Sequence, residues 1–383
     1  MHRERGSVSL TRDVARAVVG RADADVIRYA RAIRVDIRLA RPELGPSAID
    51  AASRVLASGM LVQGATVERF ERALAERVGR KHAIAVASGT NALELAIEAL
   101  GLAGKRVAIP ALTWPSPANA AVVRGARPVL VDVDAREWNA RALPSSIDAA
   151  IVIDQFGAPA RHPEMPKSVL VIEDAACAIG STIDGRACGS FGVIACLSFH
   201  PRKVLTTGEG GMCLTDDDAL AARLRRLRNH GQSSPGVFEE ASGNHRMTEI
   251  AAAIGLAQLA SLDALLVRRR AIADHYRAAL AKTGLVFQSL PPNATRNEQT
   301  FGALAENVEG RDALITALAA RSIEAGKLSY ALGRLPSLVH VERVGDLRVS
   351  ESIADRGLAL PLHGSLTDAD VERVISAVIE ARA

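Results

Sequence analysis

The sequence predicts an α/β fold whose central sheet is mostly parallel. Two features of its 383 residues predict this fold. Short apolar runs alternate with stretches of helical periodicity, and Gly, Ser, Thr, Asp and Lys follow the ends of the runs. Strands buried on both faces are nearly continuous apolar runs, and ligands gather beyond their carboxyl ends. With 48% hydrophobic residues, the chain can bury a sizeable core in roughly two to three domains.

The apolar runs and helical stretches follow one another in a regular order. Strands are predicted at 83–87, 106–109, 128–133, 150–154, 169–172, 194–199 and 212–215. Helices are predicted at 48–56, 67–78 and 91–100, once or twice within 247–280, and at 368–381. We divide the chain into an N-terminal extension (1–40), a large domain (41–265) and a smaller C-terminal α+β domain (266–383).

Charge and composition exclude several classes of protein. Residues 1–40 hold nine arginines and five acidic residues, so they carry the whole net charge of +4. The balanced remainder predicts no nucleic-acid partner. No apolar run reaches the roughly 18 uncharged residues of a membrane span, and the N-terminus lacks the apolar core of a signal peptide. With four cysteines in 383 residues, we expect a cytoplasmic protein without a disulfide framework.

Two segments have residues suited to a phosphorylated, planar ligand. Ser88, Gly89 and Thr90 end a strand and open a helix, where unpaired N–H groups favour a phosphate. The alternative is that the hydroxyls simply cap the helix. Trp114 lies on a polar loop in a chain with only 3% aromatic residues. It either stacks on a planar ligand or covers the edge of the core.

Two later segments have ionisable residues at strand ends. Glu173 and Asp174 follow the apolar run 168–172, and buried carboxylates need a partner. A protonated ring nitrogen, a metal ion or a structural arginine would serve. No histidine stands nearby at ligand spacing, so we predict no metal site. Lys203, one of six lysines, lies in a turn beside the Gly- and Thr-rich segment 206–211. It is either an imine-forming amine or a solvated surface lysine.

These features together fit one cofactor. Pyridoxal phosphate needs a lysine amine, an acidic partner for its ring nitrogen and a phosphate site. Asp174 precedes Lys203 by 29 residues, and both come after the Ser88–Thr90 turn. A nicotinamide dehydrogenase would instead need a GxGxxG turn after the first strand, which the sequence SGTN at 88–91 does not supply.

Motifs from residue 58 onward carry a resemblance to a known family. They are SGMLVQGATVERFE at 58–71, SGTNAL at 88–93, LTW at 112–114, IEDAACAIG at 172–180, LSFHPRKVLTTGEGGM at 197–212, LRNHG at 227–231, GNHRMTEIAAAIGLAQL at 243–259 and LALPLHGSLTDADV at 358–371. In this order the chain resembles the DegT/DnrJ/EryC1/StrS family, the pyridoxal-phosphate-dependent sugar aminotransferases of fold type I.

The resemblance implies roles for individual residues. Lys203 matches the Schiff-base lysine, and Asp174 matches the carboxylate on the pyridine nitrogen. The other cofactor-binding positions match Ser88, Gly89, Thr90 and Ser198 around the phosphate, Trp114 on the ring, Cys177 near the ring hydroxyl, and Asn244. The family commonly has Gln or His where Cys177 stands. Its Asn in the GNxRM loop reaches the phosphate of the neighbouring subunit, so a homodimer with shared sites is implied. Substrate contacts are expected from His200, Glu209 and Tyr330.

The resemblance also implies a reaction. L-glutamate or L-glutamine would displace Lys203 from its aldimine, and the amino group would pass by a ping-pong sequence to a ketosugar, usually a nucleotide-linked one. Residues 284–350 are short and match the family poorly, with only Gln299–Phe301 and Ser329–Tyr330 in place of its substrate segment. A free or phosphorylated ketosugar or an inosose therefore stays open as the acceptor. Further alternatives are a dehydratase, in which a histidine replaces the lysine, and a non-catalytic regulator.

Overall fold

The computed structural model describes residues 35–140, 142–162, 166 and 168–382. The helices are α1 (Pro46–Ser58), α2 (Ala65–Val78), α3 (Gly89–Ala99), α4 (Ser116–Val123), α5 (Asp218–Arg228), α6 (Glu249–Leu259), α7 (Leu262–Ala279), α8 (Val308–Ala319), α9 (Arg348–Arg356) and α10 (Asp368–Arg382). The strands up to residue 238 are β1 (His82–Val86), β2 (Arg106–Pro110), β3 (Leu112–Thr113), β4 (Arg127–Val131), β5 (Ala149–Ile153), β6 (Leu170–Asp174), β7 (Thr182–Ile183), β8 (Arg186–Ala187), β9 (Ile194–Ser198), β10 (Gly211–Thr215), β11 (Gln232–Ser234) and β12 (Val237–Phe238). The later strands are β13 (Val286–Phe287), β14 (Ala294–Thr295), β15 (Phe301–Leu304), β16 (Gly326–Lys327), β17 (Tyr330–Ala331), β18 (Glu342–Arg343) and β19 (Gly357–Leu360).

An eight-stranded sheet forms the centre of the molecule, in the order β1-β10-β9-β6-β5-β2-β4-β18. The strands from β9 to β18 run parallel, whereas β10 is antiparallel to both of its neighbours. The predicted α/β class with a mostly parallel sheet is therefore confirmed. Because β6 and β9 are adjacent and parallel, Asp174 and Ser198 end at the same edge of the sheet.

Helices cover both faces of this sheet. On one face, α3, α4 and α5 bury apolar side chains such as Leu95 and Leu224 against the strands. On the other face, α2 and α6 pack through Phe70 and Ala252. The Glu249 carboxylate accepts the N–H groups of Gly64, Thr66 and Val67 and so caps the N-terminus of α2.

The C-terminal residues form a second, antiparallel sheet in the order β13-β15-β19-β16. Its core includes Tyr276, Phe301 and Val374. Helix α7 runs across residue 265, where we placed the domain boundary, and the boundary itself stays a prediction. Of the predicted extension, residues 1–34 lie outside the described residues. Ile37 is buried against this second core and bridges to Ile323.

Two short strands from the C-terminal third return to the large domain. β17 pairs with β3, and β18 adds a parallel strand to the free side of β4. Arg106 on β2 also forms a salt bridge with Glu342 on β18. The large sheet is therefore built from both ends of the chain.

Within the described residues, no single helix is long and apolar enough to cross a bilayer. Helices α6 and α7 meet that length and hydropathy criterion only as a pair, and the pair is bent by 63°.

Candidate active site

A narrow cradle lies between the N-terminus of α3 and the end of β9. Ser88 accepts the Asn91 N–H at 3.1 Å and caps α3. A Cβ on Gly89 would stand 2.6 Å from Cβ of Ser198, so only glycine fits here. Thr90 contacts Ser116 through their hydroxyl oxygens, which are 2.6 Å apart. The structure thus brings together the four residues predicted to surround a phosphate, at a helix end whose first N–H groups lack helical partners.

Asp174 ends β6 beside this cradle and is 5% exposed. One of its oxygens accepts the Ala176 N–H at 3.1 Å. Burial raises the pKa of Asp174, while that N–H and the charge of Lys203 oppose the rise. Among the described residues, Asp174 takes part in no salt bridge, so its carboxylate lacks a cation at hydrogen-bonding distance.

Lys203 lies in the turn after β9, where its amine donates to Sγ of Cys177 at 3.0 Å. Cys177 follows Asp174 by three residues on the loop after β6. The predicted lysine, carboxylate and thiol therefore meet at the carboxyl ends of β6 and β9. A thiol is a weak hydrogen-bonding partner, so the amine is not locked in place.

A clamp holds the lysine turn from the opposite side. Gln299 accepts the Val204 N–H at 2.9 Å and donates to the Arg202 carbonyl at 2.5 Å, so it binds both peptides that flank Lys203. Asn297 donates to the Cys177 and Ile179 carbonyls. Sequence reasoning linked Gln299 to substrate, whereas the structure uses it as buried scaffolding. No local signal points to this role, because almost a hundred residues separate the partners.

The buried Arg269 supports that clamp. Its guanidinium donates to the Glu298 and Gln299 carbonyls, and burial lowers its pKa to about 10. At neutral pH the group therefore stays charged and keeps its hydrogen bonds.

Trp114 and Tyr330 form an exposed aromatic pair at the rim. Their ring centroids are 5.4 Å apart in an edge-on arrangement, and β17 brings Tyr330 opposite Thr113. Trp114 is 62% exposed, so its ring is open to a ligand. This favours the stacking interpretation over that of a Trp covering the core.

The other predicted substrate residues lie on the Lys203 turn. His200 is half-buried, and its Nε2 stands 4.0 Å from the carboxylate of the exposed Glu209. Burial lowers the pKa of His200, although the charge of Glu209 opposes this shift.

Asn244, which was predicted to contact the cofactor, is exposed and bridges to Asn229 on a separate loop. Its side chain accepts the Arg246 N–H.

The two buried carboxylates Glu173 and Asp174 have different partners. Glu173 is fully buried and accepts the N–H groups of Gly189 and Phe191, each at 2.7 Å. The Asp174 carboxylate has no cation at hydrogen-bonding distance, and a protonated pyridine nitrogen would supply one. The Gly89 cradle fits a phosphate, and Lys203 stands near both. Only one common cofactor combines these needs, so the protein is a pyridoxal-phosphate-dependent enzyme.

Comparison with known proteins narrows this class. The profile of the DegT/DnrJ/EryC1/StrS aminotransferase family matches residues 42–379. The chain is similar to a GDP-perosamine synthase of Caulobacter vibrioides, with 38% identity over 334 residues that cover 82% of this chain and 90% of that one. It is also similar to a dTDP-4-dehydro-2,3,6-trideoxy-D-glucose 4-aminotransferase of Saccharopolyspora spinosa, with 33% identity and coverage of 88% and 94%.

A solved structure agrees with these relatives. The aminotransferase TlmJ of Streptoalloteichus hindustanus superposes with a TM-score of 0.82 at 33% identity, covering 90% of this chain and 98% of its own. The chain belongs to the DegT/DnrJ/EryC1/StrS aminotransferase family, and it is a pyridoxal-phosphate-dependent aminotransferase. The family resemblance, the fold class and the cofactor predicted from the sequence are thereby confirmed.

Proposed function

We propose that the protein transfers an amino group from L-glutamate or L-glutamine to the ketone of a nucleotide-linked sugar in a ping-pong sequence. The observation that carries this proposal is the meeting of Lys203, Asp174 and the Gly89–Ser198 cradle at one sheet edge. The acceptor class rests on the GDP- and dTDP-sugar names of the two relatives.

The residues divide the work as follows. Pyridoxal phosphate, when bound, supplies a carbonyl carbon to which amines add and a ring that accepts electrons. Ser88, Gly89, Thr90 and Ser198 would bind its phosphate, and Trp114 would cover its ring. Asp174 would hold a proton on the ring nitrogen, and Lys203 would hold the cofactor through its amine. Once displaced, that amine would take the proton from Cα of the donor, a contribution worth about 10²–10⁴-fold in rate.

The substrate groups are expected at the rim of the same site. His200 and Glu209 lie on the Lys203 turn with Nε2 4.0 Å from the carboxylate, and the ring of Tyr330 packs edge-on against Trp114. We assign the polar ends of the two substrates to these side chains.

The test is an absorbance titration of the cofactor-loaded enzyme. L-glutamate should abolish the visible band of the bound cofactor, and a GDP- or dTDP-linked 4-ketosugar should restore it and yield an amino sugar. Lys203→Ala should show neither change, whereas Lys327→Ala, which alters an exposed lysine on β16, should behave as the wild type. A band that L-glutamate and L-glutamine both leave unchanged would refute the donor assignment. Restoration only by free or phosphorylated ketoses would replace the proposed acceptor by the alternative class.

We further propose a homodimer with shared sites. Exposed apolar side chains cluster before α2 at Met60, Leu61 and Val62, and Asn244 is itself exposed on the loop that bridges to Asn229. Mixed dimers provide the test. Asn244→Ala should retain cofactor poorly and Lys203→Ala should be inactive, but a refolded mixture should regain part of the activity because hybrid dimers hold one intact site. A mixture no more active than its components would contradict shared sites.

A further inference from the structure

A second cluster of ionisable side chains lies on the side of β6 opposite Asp174. Asp154 follows β5, Glu173 precedes Asp174 on β6, and His162 lies on the loop after β5. One ligand-type atom from each of these residues lies within 4.8 Å of the other two. Successive side chains of a strand point to opposite faces, so this cluster and the cofactor site lie on opposite sides of β6.

The cluster is buried and incompletely satisfied. Asp154 and Glu173 are fully buried, and the ring nitrogens of His162 are inaccessible to solvent. The Asp154 carboxyl accepts the Ala160 N–H and also forms side-chain hydrogen bonds with Glu173 and the Cys188 thiol. Both nitrogens of His162, by contrast, have no hydrogen-bonding partner among the described residues. Unmet polar atoms of this kind are rare in protein interiors and call for a ligand or an explanation.

Among the described residues, neither neighbouring arginine forms a salt bridge with the two carboxylates, although the charge of Arg80 opposes the rise in the pKa of Glu173. Arg80 donates to the Gly189 and Gly192 carbonyls and forms a salt bridge with Asp216. Arg186 instead lies 4.2 Å over the ring of Phe191, which stacks on His162. Burying a charge without a direct partner is costly, and mutual repulsion of the carboxylates adds to that cost.

The donor set selects the kind of ion. An imidazole nitrogen and two carboxylates form a combination that Zn²⁺ and similar transition metals accept, while Mg²⁺ and Ca²⁺ favour oxygen alone. A neutral imidazole carries a hydrogen on one ring nitrogen and offers the lone pair of the other to a metal ion, so His162 can supply one ligand atom. The buried Cys188 thiol lies beside Asp154 and forms a side-chain hydrogen bond with it.

From this geometry we propose that Asp154, His162 and Glu173 bind a divalent transition-metal ion. The ion would have a structural role, because it would join the ends of β5 and β6 to the loop at 189–191, which Glu173 already holds. It would also fix the backbone next to Asp174 without contacting either substrate. The proposal goes beyond the aminotransferase reaction and does not depend on the acceptor.

Metal analysis of untagged protein tests the proposal. After dialysis against a chelator and addition of Zn²⁺, the wild type should retain about one zinc ion per chain through gel filtration. Its Tm should rise by about 5 °C or more. His162→Phe keeps a ring to stack on Phe191 but removes both nitrogens, so it should lose the bound zinc and the rise in Tm. His275→Gln, which alters a surface imidazole paired with Glu372, should retain both.

The readouts separate this proposal from the proposed function. Metal content and Tm require no substrate, and binding of the cofactor shows whether His162→Phe is folded. Should that variant fail to fold, the zinc content of the wild type decides alone. Wild-type protein that retains no Zn²⁺ would overturn the proposal, as would a folded His162→Phe that retains zinc like the wild type.

Discussion

Asp174 and Glu173 are neighbours at the end of β6, and both are buried, yet their surroundings differ. Asp174 accepts a single N–H and faces Lys203, whereas Glu173 accepts two N–H groups and faces Asp154 and His162. Burial raises the pKa of both carboxyl groups. On each side of the strand, the fold leaves negative charge that its own residues do not fully balance. Under the proposed function, one strand end would serve a reaction on the side of Asp174 and Lys203, the reactive face, and a scaffold on the side of Glu173, Asp154 and His162, the scaffold face.

The largest expected effect tests the reactive face. Asp174→Asn keeps the shape of the side chain but removes the charge that would hold a proton on the ring nitrogen. We expect kcat to fall about 10²–10³-fold, the range seen when one preorganised electrostatic group is lost. The Tm should change little. Asp218→Asn, on the surface beside Lys81, is the matched control and should keep wild-type kinetics. Equal kcat values for the two variants would remove Asp174 from the electrostatic role.

A somewhat smaller effect tests the scaffold face. Glu173→Ala leaves the buried N–H groups of Gly189 and Phe191 without acceptors, at about 1–3 kcal/mol for each unsatisfied group. We expect the free energy of unfolding, from urea denaturation, to fall by about 2–4 kcal/mol. Asp154→Ala removes the acceptor of only one N–H, that of Ala160, and should cost less. If Asp154→Ala were the more destabilising variant, the assignment of Glu173 as the principal scaffold residue would be wrong.

The smallest expected effect concerns the clamp on the lysine turn. Gln299→Ala frees the peptides on both sides of Lys203, so we expect kcat to fall about tenfold, or about 1.4 kcal/mol, with little change in the KM for the donor. Gln288→Ala is the matched control, because Gln288 is another buried amide that holds carbonyls, those of Glu137 and Gln155. A similar loss of stability in both variants with unchanged kcat in both would show that the clamp does not position Lys203.

Local patterns predicted much of the fold and of the reactive face. The run at 106–109 appears as β2 over Arg106–Pro110, and the run at 194–199 appears as β9 over Ile194–Ser198. These strands were predictable because buried parallel strands are apolar throughout. The residues around Lys203 could be proposed from the sequence because one cofactor requires several residue types in the same site.

The scaffold face was not predictable, for a physical reason. The absence of a metal site stays a prediction, made because no histidine stands at ligand spacing in the sequence. The fold nevertheless brings His162 close to Glu173 from the loop after a different strand. The clamp from Asn297 and Gln299 likewise depends on contacts about a hundred residues apart in sequence. β17 and β18 are two residues long and have no periodicity to detect. Tertiary packing, rather than local preference, creates all three features.

The return of β18 to the large sheet also bears on how the chain is synthesised. β4 ends at Val131 and β18 begins at Glu342, so β4 emerges from the ribosome long before the strand that pairs with it. Until then β4 presents an unpaired edge, and such edges recruit strands from other chains. A chain that stops before residue 342 would therefore lack more than its C-terminal core: it would present a permanent nucleation site for aggregation. We therefore expect full-length translation to protect this edge of the sheet from association with other chains.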